Sequence, residues 1–439
     1  RASTTSVTTP VQFTATTTSA EVTSLTLQTF TDGLLRATYT TAVSAGRPVR
    51  IVAVVPVGLR SSSFVLTADA PGGSWTVARA ADVVSGDVFV VNGQSNAETL
   101  VYPSDNDQAD ADAASPWIRS IGGAWDTSTA SNADRGWYIA KASGGRNTSG
   151  SIGSWELRMA RDLVDTYHVP MAIVTGAHGG MPISWFEPDY VQPWDSGNNY
   201  KRLMARLDAY HLASSVKSVL YYQGESDVYN FAAWKPAFTK LAAAWSASFP
   251  QLAHIYLTQI RSGCSPEAVG AAQMIQDQQR QAAAPNVQVM STNGLNAYDG
   301  CHFRYLGGGY QELGHRYSAL IAHDSYGATA SNTTAPTPTS ASKNTAGDTI
   351  TINLANTADR ITVDPGAAIG FVVMTTAGPT FPSTVTGQAG KVTLTIPPGL
   401  IATAVSYGGI NSPGPWVRNG AGIGLLTFVN QPVTSAPAR

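Results

Sequence analysis

The chain has 439 residues, of which 43% are hydrophobic and only 13% are charged, and its formal net charge is −2. This length predicts two or three domains, because single hydrophobic cores stop growing at roughly 250 to 300 residues. The near-zero charge gives no electrostatic reason to expect binding to nucleic acid or to an anionic membrane. No apolar stretch reaches the roughly 20 residues that cross a bilayer, so we expect no membrane partner.

Residues 1–81 predict a small antiparallel β module. Short apolar runs such as Leu25–Leu27 and Arg50–Val57 alternate with turn signals at Asp32-Gly33 and Pro71-Gly72-Gly73. No apolar pattern of helical period and length occurs in this part of the chain.

Residues 82–325 predict an α/β domain, because apolar strands alternate with stretches whose apolar residues repeat at helical spacing. The predicted strands are Val88–Val91, Met171–Val174, Val216–Tyr222, His254–Leu257 and Val287–Met290, and the predicted helices lie near 154–167, 200–214, 233–247, 265–283 and 305–322. This alternation is typical of a parallel sheet covered by helices on both faces. In such sheets the functional residues gather at the carboxyl ends of the strands.

The remaining residues predict a linker and a second β module. Residues 326–346 are rich in Thr, Ser and Pro, which favours an exposed linker. Residues 347–439 again contain short β-like runs separated by Pro and Gly, and they predict a small C-terminal β module.

Two short motifs carry the candidate chemistry. Gly93-Gln94-Ser95-Asn96 directly follows an apolar strand, which is typical of the sharp turn that holds a nucleophile at the edge of a sheet. A serine hydroxyl needs a base to take its proton, and Asp299-Gly300-Cys301-His302 supplies a histidine and a carboxylate. The alternative is an ordinary polar turn at Ser95 and a helix cap at Asp299.

Four segments, taken in chain order, resemble the blocks of the SGNH hydrolase superfamily. They are Asp87 to Asn96, Gly179-Gly180, Gln223-Gly224-Glu225-Ser226-Asp227, and Asp299 to His302. The Gln-Ser-Asn and Gln-Gly-Glu-x-Asp variants are more specific and resemble the sialate O-acetylesterase-like branch, which also includes acetylxylan esterases. The resemblance implies a three-layer α/β/α core with a parallel sheet, flanked here by the N-terminal and C-terminal β modules.

The resemblance also implies a role for each block. Ser95 would attack an ester carbonyl, His302 would act as general base and then acid, and Asp299 would orient His302. The oxyanion needs donors fixed in advance, and the backbone N–H groups of Ser95 and Gly180 are suited to it. The superfamily usually offers an asparagine two residues after the glycine of its third block, but that position is Ser226 here.

Because of this departure, we expect the amide of Gln223 to be a third oxyanion donor. Glu225 and Asp227 could instead form the acid pair of a glycosidase, but two carboxylates this close on one loop do not flank a glycosidic bond.

Trp185 and Trp194 could stack on a sugar ring.

Two further residues are candidates for substrate binding. Glu187 could accept hydrogen bonds from sugar hydroxyls, and His178 could line the site. The alternative for these residues and for the two tryptophans is packing within the loop.

The function that we predict is a serine esterase that removes O-acetyl groups from a carbohydrate, either sialic acid or a plant-type polysaccharide. The alternatives are a lipase or thioesterase on the same core, or a carbohydrate-binding protein with vestigial esterase activity. We expect no cofactor and no obligate protein partner. We also expect no catalytic metal, because Glu312 and His315 have the helical spacing of one metal-ligand pair but the sequence offers no second pair.

Cys264 and Cys301 are the only cysteines, and they could form one disulfide or remain buried thiols. We favour the disulfide, because the low charge and the Thr/Ser-rich ends suggest a secreted or periplasmic protein in an oxidising compartment. A bridge at Cys301 would brace the turn that carries Asp299 and His302.

Overall fold

The computed structural model describes residues 7–123, 134–144, 148–191, 198–261, 263–264, 266–297, 299–409 and 413–435. The chain forms two compact units. The first contains residues 1–87 and 163–172, and the second contains residues 88–162 and 173–439.

The first unit is built on two antiparallel sheets. One sheet pairs β1 with β4, and the other has the strand order β3-β2-β5-β6. Its strands are β1 (Thr8–Thr16), β2 (Ser24–Thr31), β3 (Leu34–Ala42), β4 (Pro48–Pro56), β5 (Ser62–Ala70) and β6 (Gly73–Val83).

The core of this unit follows the alternation of its strands. Leu27 and Phe64 from the larger sheet pack with Ile51 from β4, and every second residue of β2 is buried. Strand β1 is not predicted by the sequence, because it is rich in threonine and contains Pro10. The two-stranded sheet accepts this proline, since only one side of the strand is paired.

An α/β core follows, which lies in the second unit except for Asp87 and residues 163–172. Its elements are β7 (Asp87–Gly93), α1 (Ser95–Glu98), α2 (Pro103–Ala113), β8 (Ile118–Ile121), β9 (Trp137–Ile139), α3 (Ser154–Tyr167), β10 (Met171–Thr175), α4 (Asn199–Asp208), β11 (Val216–Tyr222), α5 (Trp234–Ser248), β12 (His254–Gln259), α6 (Val269–Gln281), β13 (Val287–Ser291) and α7 (Tyr310–Tyr326).

These strands form one seven-stranded sheet in the order β13-β12-β11-β7-β10-β8-β9. β7, β11, β12 and β13 run parallel to one another, and β9 adds to β8 in the antiparallel direction. The predicted α/β class with a parallel sheet is confirmed. The sequence does not predict α2, because its polar sequence buries small residues such as Ala109 and Ala113 rather than a large apolar face.

The C-terminal part of the second unit is a β module with an eight-stranded sheet of order β18-β17-β21-β23-β14-β15-β20-β19 and a small β16-β22 pair. Its strands are β14 (Pro338–Lys343), β15 (Thr349–Leu354), β16 (Thr362–Val363), β17 (Phe371–Thr375), β18 (Gly378–Thr380), β19 (Thr384–Gln388), β20 (Lys391–Thr395), β21 (Ala402–Tyr407), β22 (Val417–Arg418) and β23 (Phe428–Ser435).

The segment 326–346, expected to be an exposed linker, contains β14. This strand lies between β15 and β23 and buries Ala341, so the module begins within the predicted linker. The sequence does not predict β14, because its Thr/Ser-rich composition is typical of a linker and one of its partner strands, β23, lies far along the chain. The domain boundaries otherwise stay a prediction.

The C-terminal module binds the α/β core through buried amides. The Gln259 side chain donates to the Thr427 carbonyl at 3.0 Å and accepts from the Thr427 N–H at 2.8 Å. Asn293 Nδ2 donates to the Leu425 carbonyl at 2.7 Å. Gln259 and Asn293 thus supply hydrogen bonds to backbone groups of Leu425 and Thr427 that no strand pairing provides.

Cys264 and Cys301 form the predicted disulfide, with their Cα atoms 4.2 Å apart. Within the residues that the structure describes, no helix is both long enough and apolar enough to span a membrane.

We predict that removing this disulfide with a Cys264→Ala/Cys301→Ala double substitution destabilises the second unit. The bridge joins residues 37 apart, which in the chain-entropy model corresponds to roughly 3 to 4 kcal/mol in the free energy of unfolding. Urea unfolding followed by tryptophan fluorescence, with the oxidised wild type as reference, measures the loss. An unchanged urea midpoint would contradict the prediction.

Candidate active site

The turn after β7 depends on a close backbone approach at Gly93. Gly93 has φ +134°, and a Cβ atom there would lie 2.0 Å from the carbonyl oxygen of Tyr222 at the end of β11. The N–H of Gln94 donates to the same carbonyl at 2.9 Å. Only glycine fits at this point, and the chain then enters α1 with Ser95 as its first residue.

The structure brings Ser95 and His302 together from segments that are far apart in the sequence. His302 Nε2 lies 2.9 Å from Ser95 Oγ. Burial lowers the pKa of His302 from its ordinary value, and the nearby charge of Asp299 partly offsets this effect. A neutral imidazole at hydrogen-bond distance can take the proton of the serine hydroxyl.

Asp299 lies beside His302, and its carboxylate contacts the backbone. Asp299 Oδ1 accepts a 3.0 Å hydrogen bond from the His302 N–H, and the Asp299 N–H donates to the His302 carbonyl at 3.1 Å. Asp299 therefore closes the turn that carries the histidine. Among the described residues, the carboxylate makes no hydrogen bond to the imidazole ring, so its predicted role in orienting the ring stays a prediction.

The backbone N–H groups of Ser95 and Gly180 make no hydrogen bond with the described residues. The N–H of the neighbouring Gly179 donates to Glu98 Oε2 at 3.1 Å. A Cβ atom on Gly179 would lie 3.5 Å from the Cβ of Ser95, so this glycine pair runs directly past the serine. Both predicted backbone donors are thus available for an oxyanion.

Gln223 is fully buried, and its amide nitrogen faces inward. Gln223 Nε2 contacts Gln94 Oε1 and the Met181 carbonyl, each at 3.3 Å, and it also donates to the Asp227 carboxylate. These protein acceptors use both amide hydrogens. Gln223 therefore has no free N–H for the hydrogen bond to the oxyanion that the sequence predicted.

Asn96 connects the nucleophile turn to three other segments. Its Nδ2 donates to Glu225 Oε1 at 2.7 Å and to the Cys301 carbonyl at 3.2 Å, while its Oδ1 accepts from the Tyr310 hydroxyl at 2.6 Å. With 1% exposure, this side chain is sealed from solvent. The sequence marks Asn96 only as part of a motif and gives no signal for its partners.

Glu225 and Asp227 are both buried and serve as internal acceptors. Burial raises the pKa of Glu225 to about 7 and the pKa of Asp227 to about 6. Asp227 accepts hydrogen bonds from the Ile183 N–H at 3.0 and 3.2 Å. This placement does not resemble two carboxyl groups that flank an open cleft, which a glycosidase would need.

The predicted sugar contacts are only partly accessible. Trp185 is 5% exposed and packs against His178, with ring centroids 4.8 Å apart. Glu187 forms an ion pair with Lys240 at 3.0 Å. Trp194 lies outside the described residues. The structure thus gives Trp185 no open face for stacking, while the roles of His178 and Glu187 stay predictions.

Tyr229 is an exposed aromatic residue that sequence reasoning missed. It lies in the 3₁₀ helix Glu225–Ala233, is 78% exposed, and donates its hydroxyl to Glu267 at 2.7 Å. Glu267 follows Cys264, which is bridged to the neighbour of His302. This hydrogen bond joins the 3₁₀ helix after β11 to the segment that follows Cys264, and no sequence pattern predicts it.

No group of three or more His, Cys, Asp or Glu side chains is placed to hold a metal ion in the part of the chain that the structure describes. His315, which the sequence pairs with Glu312, instead places Nδ1 2.7 Å from Asp162.

Three solved structures are similar to this chain to different degrees. XAC1771 from Xanthomonas citri, described as a carbohydrate acetylesterase, is 19% identical with a TM-score of 0.69, and the match covers 96% of this chain and 95% of that one. A protein from Arabidopsis thaliana matches at 17% identity and TM-score 0.42 over 55% and 99% of the two chains. NanS matches at 16% identity and TM-score 0.35 over 48% and 79%. Of these, only XAC1771 is similar enough to support the fold.

A comparison with curated proteins finds no match. The family model described as "Carbohydrate esterase, sialic acid-specific acetylesterase" matches residues 85–323, which is more than half of the 439 residues. This range contains the nucleophile turn, the glycine pair and the histidine turn. The chain therefore belongs to this carbohydrate esterase family, and the protein is a carboxylic ester hydrolase.

Proposed function

We propose that the protein removes O-acetyl groups from a carbohydrate through an acetyl-enzyme intermediate on Ser95. The observation that carries this proposal is the 2.9 Å distance between Ser95 Oγ and His302 Nε2. It joins a nucleophile and a base across more than two hundred residues of sequence, at the carboxyl end of β7. Family membership supports the ester as substrate.

In the first half-reaction, Ser95 Oγ attacks the acetyl carbonyl while His302 Nε2 takes the hydroxyl proton. The oxyanion accepts hydrogen bonds from the backbone N–H groups of Ser95 and Gly180. Each such donor contributes on the order of 3 kcal/mol to transition-state stabilisation. The tetrahedral intermediate then collapses, and the sugar oxygen leaves with the proton from His302.

In the second half-reaction, water attacks the acetyl-enzyme. His302 accepts a proton from this water and returns one to Ser95 Oγ, so acetate leaves and the enzyme is restored. Asp299 supports both steps by fixing the histidine turn and by stabilising the imidazolium charge, as its effect on the pKa of His302 indicates.

The exposed ring of Tyr229 favours a sugar as the substrate over a long acyl chain. The exposed ring of Tyr229 is held by Glu267 and lies one helical turn beyond Ser226, whose N–H donates to Gln94. A ring with a fixed edge and an open face can pack against a pyranose. A lipase would instead need a continuous apolar groove, and a vestigial site would not need the Ser95–His302 contact.

We also propose that the protein works outside the cytoplasm. The Cys264–Cys301 disulfide supports this, because structural disulfides persist in oxidising compartments.

Ser95→Ala and His302→Ala should each lower kcat for an acetyl ester by several orders of magnitude, because the two side chains form one proton-transfer unit. The double variant should be little slower than either single variant. Steady-state hydrolysis of p-nitrophenyl acetate, with circular dichroism to confirm folding, tests this. Retention of a tenth of the activity by Ser95→Ala would overturn the assignment of the nucleophile.

The rise of kcat/KM with pH should have its midpoint below about 6.5, the unperturbed histidine value. The base must be neutral, and burial lowers the pKa of His302, so the active form persists to lower pH. Asp299→Asn removes the charge that raises this pKa and should move the midpoint further down. A pH–rate profile that rises only above pH 7 in the wild type would contradict the expectation.

Tyr229→Ala should lower kcat/KM for an acetylated glycan roughly tenfold, which corresponds to about 1.4 kcal/mol, and leave p-nitrophenyl acetate hydrolysis unchanged. Tyr229→Phe keeps the ring and is the matched control. Trp185→Ala should lower both activities together with stability, since that ring is buried. Equal loss on both substrates in Tyr229→Ala would remove this residue from the sugar subsite.

A further inference from the structure

We infer that Asn96 and Glu225 form a positioning pair that holds the His302 turn against Ser95. The inference rests on the proposed roles of Ser95 and His302 and adds two residues that do not touch the reacting atoms. Asn96 follows the nucleophile in the chain, and Glu225 comes from the loop after β11, so the pair joins both segments to the turn of His302.

The chemistry of the partners fixes the orientation of the Asn96 amide. The Cys301 carbonyl can only accept hydrogen bonds, and Glu225 Oε1 accepts here, so both must face the amide nitrogen. The Tyr310 hydroxyl donates to the amide oxygen from the opposite side. A rotation by 180° would set oxygen against oxygen at two contacts, so the amide has one stable orientation.

The two hydrogens of Asn96 Nδ2 have different roles. The hydrogen that binds Glu225 holds the amide in place with a 2.7 Å bond in a buried site. The other hydrogen binds the carbonyl of Cys301 at 3.2 Å, one residue before His302. Losing this second bond removes a contact that holds the turn beside Ser95, and a displacement of about 1 Å in a catalytic group can cost a hundredfold in rate.

The hydrogen bond between Asn96 and Glu225 does not depend on whether Glu225 is ionised. The groups that act on this carboxyl are Asp227 on its own segment, Tyr221 on β11, Tyr310 on α7 and Asn96 on α1. Either protonation state of Glu225 keeps an oxygen that can accept from Asn96. Glu225→Gln also keeps such an oxygen, and kcat for this variant should stay within threefold of the wild type.

Asn96→Asp, alone and combined with Glu225→Gln, separates an effect on the position of the His302 turn from an effect on stability. Asn96→Asp places oxygen against both Glu225 and the Cys301 carbonyl, so Tm should fall and kcat should drop about a hundredfold at pH 8 with little change in KM. Adding Glu225→Gln gives the new carboxylate a donor at position 225 but none at the Cys301 carbonyl. The double variant should therefore recover Tm and keep the low kcat.

Asn419→Asp is the matched control. Asn419 is also buried, and its Nδ2 donates to two backbone carbonyls, those of Asn332 and Thr334, in the C-terminal module. It should lower Tm while leaving kcat unchanged. The inference is overturned if the double variant recovers kcat together with Tm, or if folded Asn96→Asp keeps the wild-type kcat. Activity remaining in Ser95→Ala would instead overturn the proposed function itself.

Discussion

The active-site geometry depends on the contact between Gly93 and the carbonyl of Tyr222. The absence of a side chain at Gly93 lets β7 end directly against β11, and the turn that follows directs three consecutive side chains to the loop after β11 and to the turn of His302. Gln94 accepts from the N–H groups of the loop after β11, Ser95 meets His302, and Asn96 reaches the Cys301 carbonyl. A single backbone approach thus determines where three polar side chains can act.

The polar groups around Ser95 are held in place by their neighbours, as the proposed stabilisation of an oxyanion requires. The side chains of Gln94, Asn96 and Gln223 are buried, and their hydrogen bonds are made within the protein. Donors and dipoles that are already oriented need no reorganisation when the oxyanion forms. The backbone N–H groups of Ser95 and Gly180 make no hydrogen bond with the described residues, so they can donate to an oxyanion without breaking an existing contact.

Much of this arrangement could be predicted from the sequence, for reasons that differ from residue to residue. The buried strand β7 and the turn at Ser95 follow from local pattern, and so does the parallel sheet that brings the strand ends together. The inward direction of Gln223 and the burial of Trp185 could not be predicted, because both depend on partners from other segments. Strand β14 was missed for the same reason: its threonine-rich sequence becomes a strand only between β15 and β23.

The paired hydrogen bonds between Gln259 and Thr427 restrict how this protein can be divided. Gln259, at the end of β12, makes with Thr427 the pair of hydrogen bonds that a neighbouring strand would make, and Thr427 directly precedes β23. If the C-terminal module were cut away, Gln259 Nε2 would keep only the Gln276 carbonyl as acceptor, and Gln259 Oε1 would lose its donor, at a cost of about 1 to 3 kcal/mol if it stayed buried. Recombination that exchanges this module for another β domain would therefore have to supply a residue with both a donor and an acceptor at the same place.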